Sequence, residues 1–276
     1  MSIDPETQIS YNGGASLLTF IPEIAHGATR ILDFGCGNGE TLMRLKKEGG
    51  CKELFGVDIR TEYAETLKET LDGCWIVDIG EEENDLDEAY YDFFNYILML
   101  DVVEHLYDPW YVLPKLAKFL SPEGKLIISV PNLRHWALWL NIIIGEFPYG
   151  KTGGLMNEEH IRWFTYESLK ELVHLSGLAL QDARLTFPPN IDIGMMTERM
   201  KTAIPELLLP PPETHSTGMK TVIRFPNIQN ISKHYPYFLA NKIIVICKRG
   251  PELVAPERVS VGALEIRRKR LSEPKI

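Results

Sequence analysis

Short apolar runs alternate with amphipathic stretches along most of this chain. The runs have the near-continuous apolar character of buried parallel strands, and the stretches between them have helical spacing. The runs predict strands at Ile31–Leu32, Cys51–Val57, Cys74–Val77, Tyr96–Leu100, Lys125–Val130, Leu178–Thr186 and Leu239–Cys247. The amphipathic stretches predict helices at Ala15–Ile24, 40–48, Thr61–Leu71, Trp110–Phe119 and Tyr166–Ser176, and Ser121–Gly124 is predicted as a turn. This alternation predicts an α/β fold with a doubly wound, Rossmann-like sheet of seven mostly parallel strands.

The first predicted strand opens into three glycines, Gly35, Gly37 and Gly39, and then into a helix. Glycine adopts backbone angles that other residues avoid, and it lets a ligand approach the main chain. The free N–H groups at the start of the following helix then face that ligand. This strand–turn–helix unit therefore predicts a small-molecule site at the end of the first strand.

The spacing of these glycines argues against a dinucleotide. Gly35 and Gly37 fit the G-x-G-x-x-G fingerprint, but its third position is Glu40. An acid at the head of the helix would repel a pyrophosphate, and Asp33 before the turn suits a cationic amine better. The segment Asp-Phe-Gly-Cys-Gly-Asn-Gly resembles the first motif of the class I S-adenosylmethionine-dependent methyltransferases, whose cofactor carries a sulfonium and an ammonium. A glycine turn with a purely structural role is the alternative.

Acidic residues also follow the second and third predicted strands. Asp58 lies 19 residues after Gly39, where a carboxylate can accept both ribose hydroxyls of an adenosine. Capping of the next helix is the alternative role for Asp58. The resemblance implies that Asp78 accepts the adenine amino group. In all, it implies that the cofactor, S-adenosyl-L-methionine, is held by Tyr11, Asp33, Gly35, Gly37, Gly39, Asp58, Ile59, Asp78, Ile79 and Leu100; for Tyr11 a surface position is equally compatible.

The fourth predicted strand leads into Asp-Val-Val-Glu-His-Leu, residues 101–106. This segment is similar to one in the quinone-biosynthesis-type methyltransferases. The resemblance places Leu100 against the methionine part of the cofactor and His105 near the reacting centre. A structural hydrogen bond at a helix end is the alternative for His105. Asp101, His105 and His160 are the candidate catalytic residues, since a hydroxyl acceptor benefits from a general base.

Residues 131–165 are predicted as a substrate lid, because they are not needed to close the sheet. The lid is rich in Trp and Tyr side chains that can stack on a ring, and His160 or Arg162 can hydrogen-bond to an acceptor. Its end, His-x-Arg-x-Phe-Thr, resembles methyltransferases of cell-surface glycan and lipid-linked sugar pathways. The alternative is a helix cap in which Trp163 and Phe164 are buried.

Residues 1–250 are predicted as one methyltransferase domain, in which the resemblance places the last strand antiparallel between strands five and six. Residues 187–236 exceed the usual length of a loop. They are predicted as an insertion that covers the site or forms an oligomer contact, which is compatible with a homodimer. The tail, 251–276, contains the basic run Arg267–Arg270 and is predicted to be extended.

Composition narrows the partners further. The 276-residue chain has a formal net charge of -9 and a pI near 5.4, which argues against a nucleic-acid partner bound by bulk electrostatics. Its four cysteines form no C-x-x-C pair, and no acidic cluster beyond the strand ends points to a metal, so we expect reduced thiols, a cytoplasmic protein and no metal site. The N-terminus lacks a signal-peptide pattern, and the longest apolar run, Trp136–Ile144, is too short to span a membrane.

We therefore expect a methyltransferase that acts on a hydroxyl of a sugar or sugar-linked small molecule. A methyltransferase for an aromatic or quinone precursor is the alternative, which residues 101–106 favour. An inactive, cofactor-binding partner protein is a third hypothesis. In either enzyme, the acceptor atom attacks the sulfonium methyl group, and most of the catalysis is positioning.

Overall fold

The computed structural model describes residues 26–81, 84–143, 145–147, 149–150, 155–186, 236–251 and 255. Tyr11, the helix predicted at Ala15–Ile24, most of the predicted insertion at 187–236 and nearly all of the basic tail lie outside the described residues. Among the described residues, no helix combines the length and apolar character that crossing a bilayer requires.

The described chain is built on one seven-stranded sheet. Its strands are β1 (Arg30–Phe34), β2 (Glu53–Asp58), β3 (Gly73–Ile76), β4 (Phe94–Leu100), β5 (Leu120–Pro131), β6 (Leu178–Thr186) and β7 (Lys242–Arg249). The spatial order is β3-β2-β1-β4-β5-β7-β6. Strands β1 to β5 pair in parallel, whereas β7 runs antiparallel between β5 and β6. This topology confirms the predicted fold class, including the place and direction of the last strand.

Helices cover the two faces of the sheet. They are α1 (Glu40–Gly49), α2 (Ala64–Thr70), α3 (Pro109–Ala117), α4 (Trp136–Ile143), α5 (Tyr166–Leu175) and the short α6 (Pro236–Leu239), with 3-10 turns at Thr61–Tyr63, Glu88–Tyr90 and Val103–His105. Leucines of α1 and α2 pack on one face, and residues of α3 and α5 pack on the other. In β4, Ile97 and Met99 pack on the face covered by α3 and α5, while Leu98 packs on the face covered by α1 and α2. Successive residues of a strand point to opposite faces of the sheet.

The strand order creates a switch point beside β1. From β1 the chain moves to β2 and β3 on one side, and it returns to β4 and β5 on the other. In open α/β sheets, ligands bind outside the carboxyl ends of the strands at such a point. Asp33 near the end of β1, Asp58 at the end of β2 and Asp101 directly after β4 all lie at this edge.

One predicted turn is wrong. Residues Ser121–Gly124 lie within β5. The pairing of β4 with β5 shifts register there, from Phe94 opposite Leu120 to Tyr96 opposite Lys125. The turn-forming residues therefore make an irregularity inside a longer strand rather than its end, because the strand pairs with β4 on both sides of them.

Candidate active site

A cavity of about 760 Å³ opens at the carboxyl ends of β1, β2, β3 and β4. Its wall includes Phe34 and Gly35 at the end of β1, the 58–60 segment at the end of β2, the 77–81 loop after β3, and residues 101–102 and 105–108 after β4. This volume lies in the range of pockets that enclose a drug-sized ligand. The cavity therefore collects the ends of four separate strands at the switch point of the sheet.

The glycine turn has a backbone that only glycine adopts easily. Gly35, Gly37 and Gly39 have φ of 79°, 57° and 80°, in the left-handed region. A Cβ on Gly35 would lie 2.5 Å from a methyl carbon of Val102, so its side has no room for a side chain. The backbone N–H of Gly35 donates to the carbonyl of Val57 at 2.7 Å, which ties the turn to β2. Of the three glycines, only Gly35 lines the cavity.

Asp58 is buried and fully engaged. Its carboxylate accepts from the Gly37 N–H at 2.6 Å, and from the backbone N–H, Nε and Nη2 of Arg60 at 3.0, 2.8 and 2.9 Å. Burial alone would raise the pKa of Asp58, but these hydrogen bonds and the Arg60 charge outweigh it and hold that pKa below its ordinary value. Asp58 does not cap α2, which was its alternative role. Its carboxylate accepts instead from the backbone N–H of Arg60.

Arg60 is a site residue that the sequence analysis missed. Its guanidinium covers the Asp58 carboxylate, lies 4.8 Å from the ring centre of Tyr63 and lines the cavity. The spacing of an acid and an arginine two residues apart was the available signal. Since it is nearly half exposed, Arg60 can leave Asp58 when a ligand competes for the carboxylate.

Asp33 lies behind the glycine turn, with 3% of its surface exposed. It does not line the cavity itself, whereas the next two residues, Phe34 and Gly35, do. Burial, with a smaller contribution from the Asp58 charge, raises the pKa of Asp33 to about 8. At neutral pH this carboxyl is mostly protonated until a cation comes close to it.

The loop after β3 forms the far end of the cavity. Asp78 accepts from the Gly80 N–H at 2.8 Å, Ile79 is buried at 1% exposure, and Ile59 across from them is 66% exposed. All three predicted residues line the cavity. The buried Lys115 of α3 donates to the carbonyls of Ile79 at 3.2 Å and of Asn84, and so fixes the loop from below. Sequence reasoning missed Lys115, whose signal is a lysine on the apolar face of α3.

Asp101 lines the cavity beside β4, with a left-handed backbone at φ 56°. Its carboxylate accepts from the Ser129 hydroxyl at 3.1 Å and pairs with Lys242 of β7. Because each of its carboxylate oxygens already accepts from a partner, Asp101 is a weak candidate for a general base. Its neighbour Leu100 packs in the core under α1 and α2 and is not part of the cavity wall.

His105 and His160 face each other at the opposite end of the cavity. Their ring centres are 4.7 Å apart and nearly perpendicular, at 81°. His105 lines the cavity, whereas His160 is 7% exposed and lies behind it. Burial lowers the pKa of His160, so that its imidazole is neutral at physiological pH. The buried Glu104 lies beside them, and burial together with the Asp101 charge raises its pKa to about 8. Sequence reasoning assigned no role to Glu104.

The predicted lid has mixed character. Phe164 is buried, as the capping alternative expects, while Trp163 is 38% exposed. Thr165 caps α5 and accepts from the Ser168 N–H at 3.3 Å, with the reciprocal bond completing a capping box. Trp139 of α4, Phe147 and Tyr149 are exposed aromatic residues of the same segment. The helix cap and exposed aromatic surface therefore occur together.

Comparisons with known proteins agree with this geometry. A family model described as a methyltransferase domain matches residues 12–183. The ubiquinone biosynthesis O-methyltransferase of Pectobacterium atrosepticum is 26% identical over 194 residues, which are 65% of this chain and 79% of that relative. The enzyme of the same name from Photorhabdus laumondii is 27% identical over 183 residues, which are 60% of this chain and 73% of that relative.

Solved structures share the architecture. A SAM-dependent methyltransferase from Archaeoglobus fulgidus is similar with a TM-score of 0.51 and 20% identity, covering 84% of this chain and 94% of that one. The cyclase SpnF is similar with a TM-score of 0.51 and 14% identity, covering 88% of this chain and 85% of that one. Since a cyclase has the same fold, these likenesses speak for the fold and not for a reaction.

The family model covers more than half of the chain, and its match includes the glycine turn and the acidic strand ends that form the cavity. The predicted class of protein is confirmed, and so is the predicted cofactor. This chain belongs to the methyltransferase domain family, with the class I fold and S-adenosyl-L-methionine as its cofactor.

Proposed function

We propose that this protein transfers the methyl group of S-adenosylmethionine to a hydroxyl oxygen of a small aromatic acceptor of the quinone-precursor type. The observation that carries the proposal is the cavity, because it runs from the buried Asp58 at the end of β2 and the exposed Asp78 after β3 to His105, with His160 packed behind the His105 ring. One end has the acceptors that an adenosine needs, and the other has bases that a hydroxyl needs.

Asp58 and the 77–81 loop would hold the adenosine. The Asp58 carboxylate already binds donors on both oxygens, and two ribose hydroxyls can replace the Arg60 guanidinium there. Ile79 offers a buried apolar wall for a ring, and Asp78 lies beside it. Asp33, behind the turn, would stabilise the ammonium of the cofactor.

The other end would hold the acceptor. When bound, the cofactor supplies a methyl group on a positively charged sulfur. In the transfer, the acceptor oxygen would form a bond to that methyl carbon while the carbon–sulfur bond breaks, and the electron pair of the broken bond would remain on the sulfur. The proton of the hydroxyl must leave to a base, and His105 is the titratable ring on the cavity wall. His160 would act through His105, since it lies behind that ring.

The choice of an aromatic acceptor is supported by the ubiquinone O-methyltransferases among the relatives. The sugar hydroxyl that residues 157–165 suggest is the competing acceptor class. A catechol-type phenol ionises far more readily than a sugar hydroxyl, so it depends less on a strong base.

Calorimetric titration of the full chain with S-adenosylhomocysteine tests the cofactor site, with NADH as the control ligand. Tight binding of the first alone supports the proposal, and binding of NADH contradicts it. Methyl transfer is then assayed on catechol-type phenols and on sugar nucleotides, with labelled S-adenosylmethionine. Turnover of phenols supports the proposal; turnover of sugars alone would replace the acceptor class, and turnover of neither would favour an inactive, cofactor-binding protein.

A further inference from the structure

Glu104, His105 and His160 form a compact group at the acceptor end of the cavity. One ligand atom from each of the three side chains lies within 4.8 Å of the others. A tetrahedral site with bonds of about 2.0–2.2 Å needs donors about 3.3 Å apart, so small side-chain rotations would close the group around one ion. Two imidazoles and one carboxylate are a ligand set of catalytic zinc sites, which keep one position open.

Both histidines are held in the form that binds a metal. The Nδ1 atom of His105 lies 3.1 Å from the carbonyl oxygen of Glu159, and that of His160 lies 3.1 Å from the carbonyl oxygen of Leu155. A carbonyl only accepts, so each Nδ1 carries the proton and donates it. In the neutral ring, this leaves the lone pair on Nε2, which is the arrangement that metal-binding histidines use.

Glu104 is the independent observation that points to a cation. Its side chain is 1% exposed, and neither carboxylate oxygen has a hydrogen-bond partner on another described residue. A buried carboxylate without a partner is costly, and such groups are normally paired or bound to a metal. Within the described part of the chain, both imidazoles have a ligand atom within 4.8 Å of the Glu104 carboxylate, and the charge of Lys242, which pairs with Asp101, also acts on it.

The backbone keeps the group assembled. The carbonyl oxygen of Glu104 accepts from the N–H groups of both Ile161 and Arg162, each at 3.0 Å. These bonds fix the residues next to His160 against the segment that carries Glu104 and His105. These backbone hydrogen bonds hold the three side chains close together. A metal site requires such a rigid support for its ligands.

We propose that Glu104, His105 and His160 bind one divalent transition-metal ion, Zn²⁺ or a similar cation. The open coordination position of the ion would face the cavity, because His105 lines the cavity wall. Imidazole and carboxylate together suit this class of ion. The cavity wall nearby contributes Asp101 and Glu159, although Lys242 pairs with the first of these. This assignment replaces the expectation from sequence that the protein has no metal site.

Resting on the proposed function, the same ion would bind the hydroxyl oxygen of the acceptor. A bound cation lowers the pKa of an oxygen ligand, so with the ion in place His105 would be its ligand and no longer the base, and the hydroxyl proton would pass to water before transfer. The acceptor oxygen would then attack the methyl carbon as an alkoxide or phenoxide, and the electron pair of the carbon–sulfur bond would stay on sulfur. The ion is neither oxidised nor reduced in this step.

Metal binding is tested on the full chain after treatment with a chelator. Calorimetry with Zn²⁺ and the visible spectrum with Co²⁺ should show one ion per chain in a four- or five-coordinate site. Glu104→Gln and His160→Gln should each weaken Zn²⁺ binding by at least about 100-fold, while the exposed His174→Gln serves as the matched control and should not change it. His105→Gln, at a partly exposed position, should also lose the ion if the buried variants fail to fold.

The failures of the two proposals are distinguishable. No binding of Zn²⁺ or Co²⁺ by the wild-type chain, or equal binding by every variant, overturns the metal site whatever S-adenosylhomocysteine does. Binding of Zn²⁺ without S-adenosylhomocysteine binding keeps the metal site and overturns the proposed function. If the chelated enzyme binds S-adenosylhomocysteine normally and retains full turnover, the role of the ion in holding the acceptor is refuted.

Discussion

Binding of a cationic amine beside Asp33 should release a proton from that carboxyl. With a pKa of about 8, about nine-tenths of Asp33 is protonated at pH 7 in the free protein. The ammonium of the cofactor favours the ionised form, so each bound molecule should release up to about 0.9 proton at pH 7. The ionised fraction of free Asp33 rises from about 0.01 at pH 6 to about 0.09 at pH 7, and the affinity should therefore rise by up to about ninefold over that interval.

Between pH 6 and pH 7, titration of the α-amino group of the ligand cannot account for this change in affinity. An α-amino group has an ordinary pKa of about 7.7–8.0, so the ammonium of the ligand stays largely protonated below pH 7. Ionising Asp33 at pH 7 costs about 1.4 kcal/mol, and a charge-assisted hydrogen bond gains about 1.5–3 kcal/mol. Asp33→Asn should therefore weaken binding by at most about 15-fold at pH 7 and by more at higher pH.

Calorimetry with S-adenosylhomocysteine, in buffers of different ionisation heat at pH 6 and pH 7, measures both quantities. The wild-type chain should show the proton release and the rise in affinity with pH, and Asp33→Asn should show neither. Release of less than about 0.2 proton by the wild-type chain, with an affinity that does not change with pH, would refute the assignment of Asp33 to the ammonium.

Three further predictions concern Asp58, the glycine turn and His135. Asp58→Ala should weaken S-adenosylhomocysteine binding at least about 100-fold, because two charge-assisted hydrogen bonds are lost. The control Arg60→Gln frees the carboxylate and should bind as tightly as the wild-type chain or more tightly. An Asp58→Ala variant with wild-type affinity would contradict the ribose assignment. Gly35→Ala should lower the free energy of unfolding, measured by thermal melts, by about 2–4 kcal/mol. The control Gly50→Ala shares the left-handed backbone but has open space around it, and it should cost about 1 kcal/mol. Equal losses would contradict the clash between a side chain at position 35 and Val102. Burial lowers the pKa of His135 to about 4, so the unfolded chain takes up the proton first as the pH falls. The free energy of unfolding should therefore drop by up to about 3 kcal/mol between about pH 6.5 and pH 4. Denaturant titrations of His135→Gln should show a weaker pH dependence, and an unchanged dependence would contradict the assignment to His135.

Local patterns carried much of the fold. The near-continuous apolar runs at 31–32 and 96–100 predicted β1 and β4, because a strand buried on both faces must be apolar at every position. Thr165 and Ser168 predicted the start of α5 for an equally local reason, since a cap is formed within one turn. The predicted turn at Ser121–Gly124 failed because turn residues also occur at irregularities within a strand, and only pairing with a neighbour separates the two cases.

The candidate site divides in the same way. The glycines and acidic residues at 33–58 were visible in the sequence, because chain order and spacing place them at the ends of neighbouring strands. The engagement of Asp58 by Arg60 and of Asp101 by Lys242 was not, since side-chain pairing depends on which conformers and which strands meet.

By itself, the sequence determined the α/β class, the strand order along the chain and the class of cofactor, because each depends on short-range periodicity or on a motif within one strand–turn–helix unit. Only the tertiary structure brought His160 against Glu104 and His105, through backbone bonds between segments that lie far apart in the chain. Burial also separated Asp33, which is held mostly protonated, from Asp58, which is held ionised. Two identical side chains at similar strand ends differ because solvent access and hydrogen-bond donors belong to the folded arrangement and not to the residue.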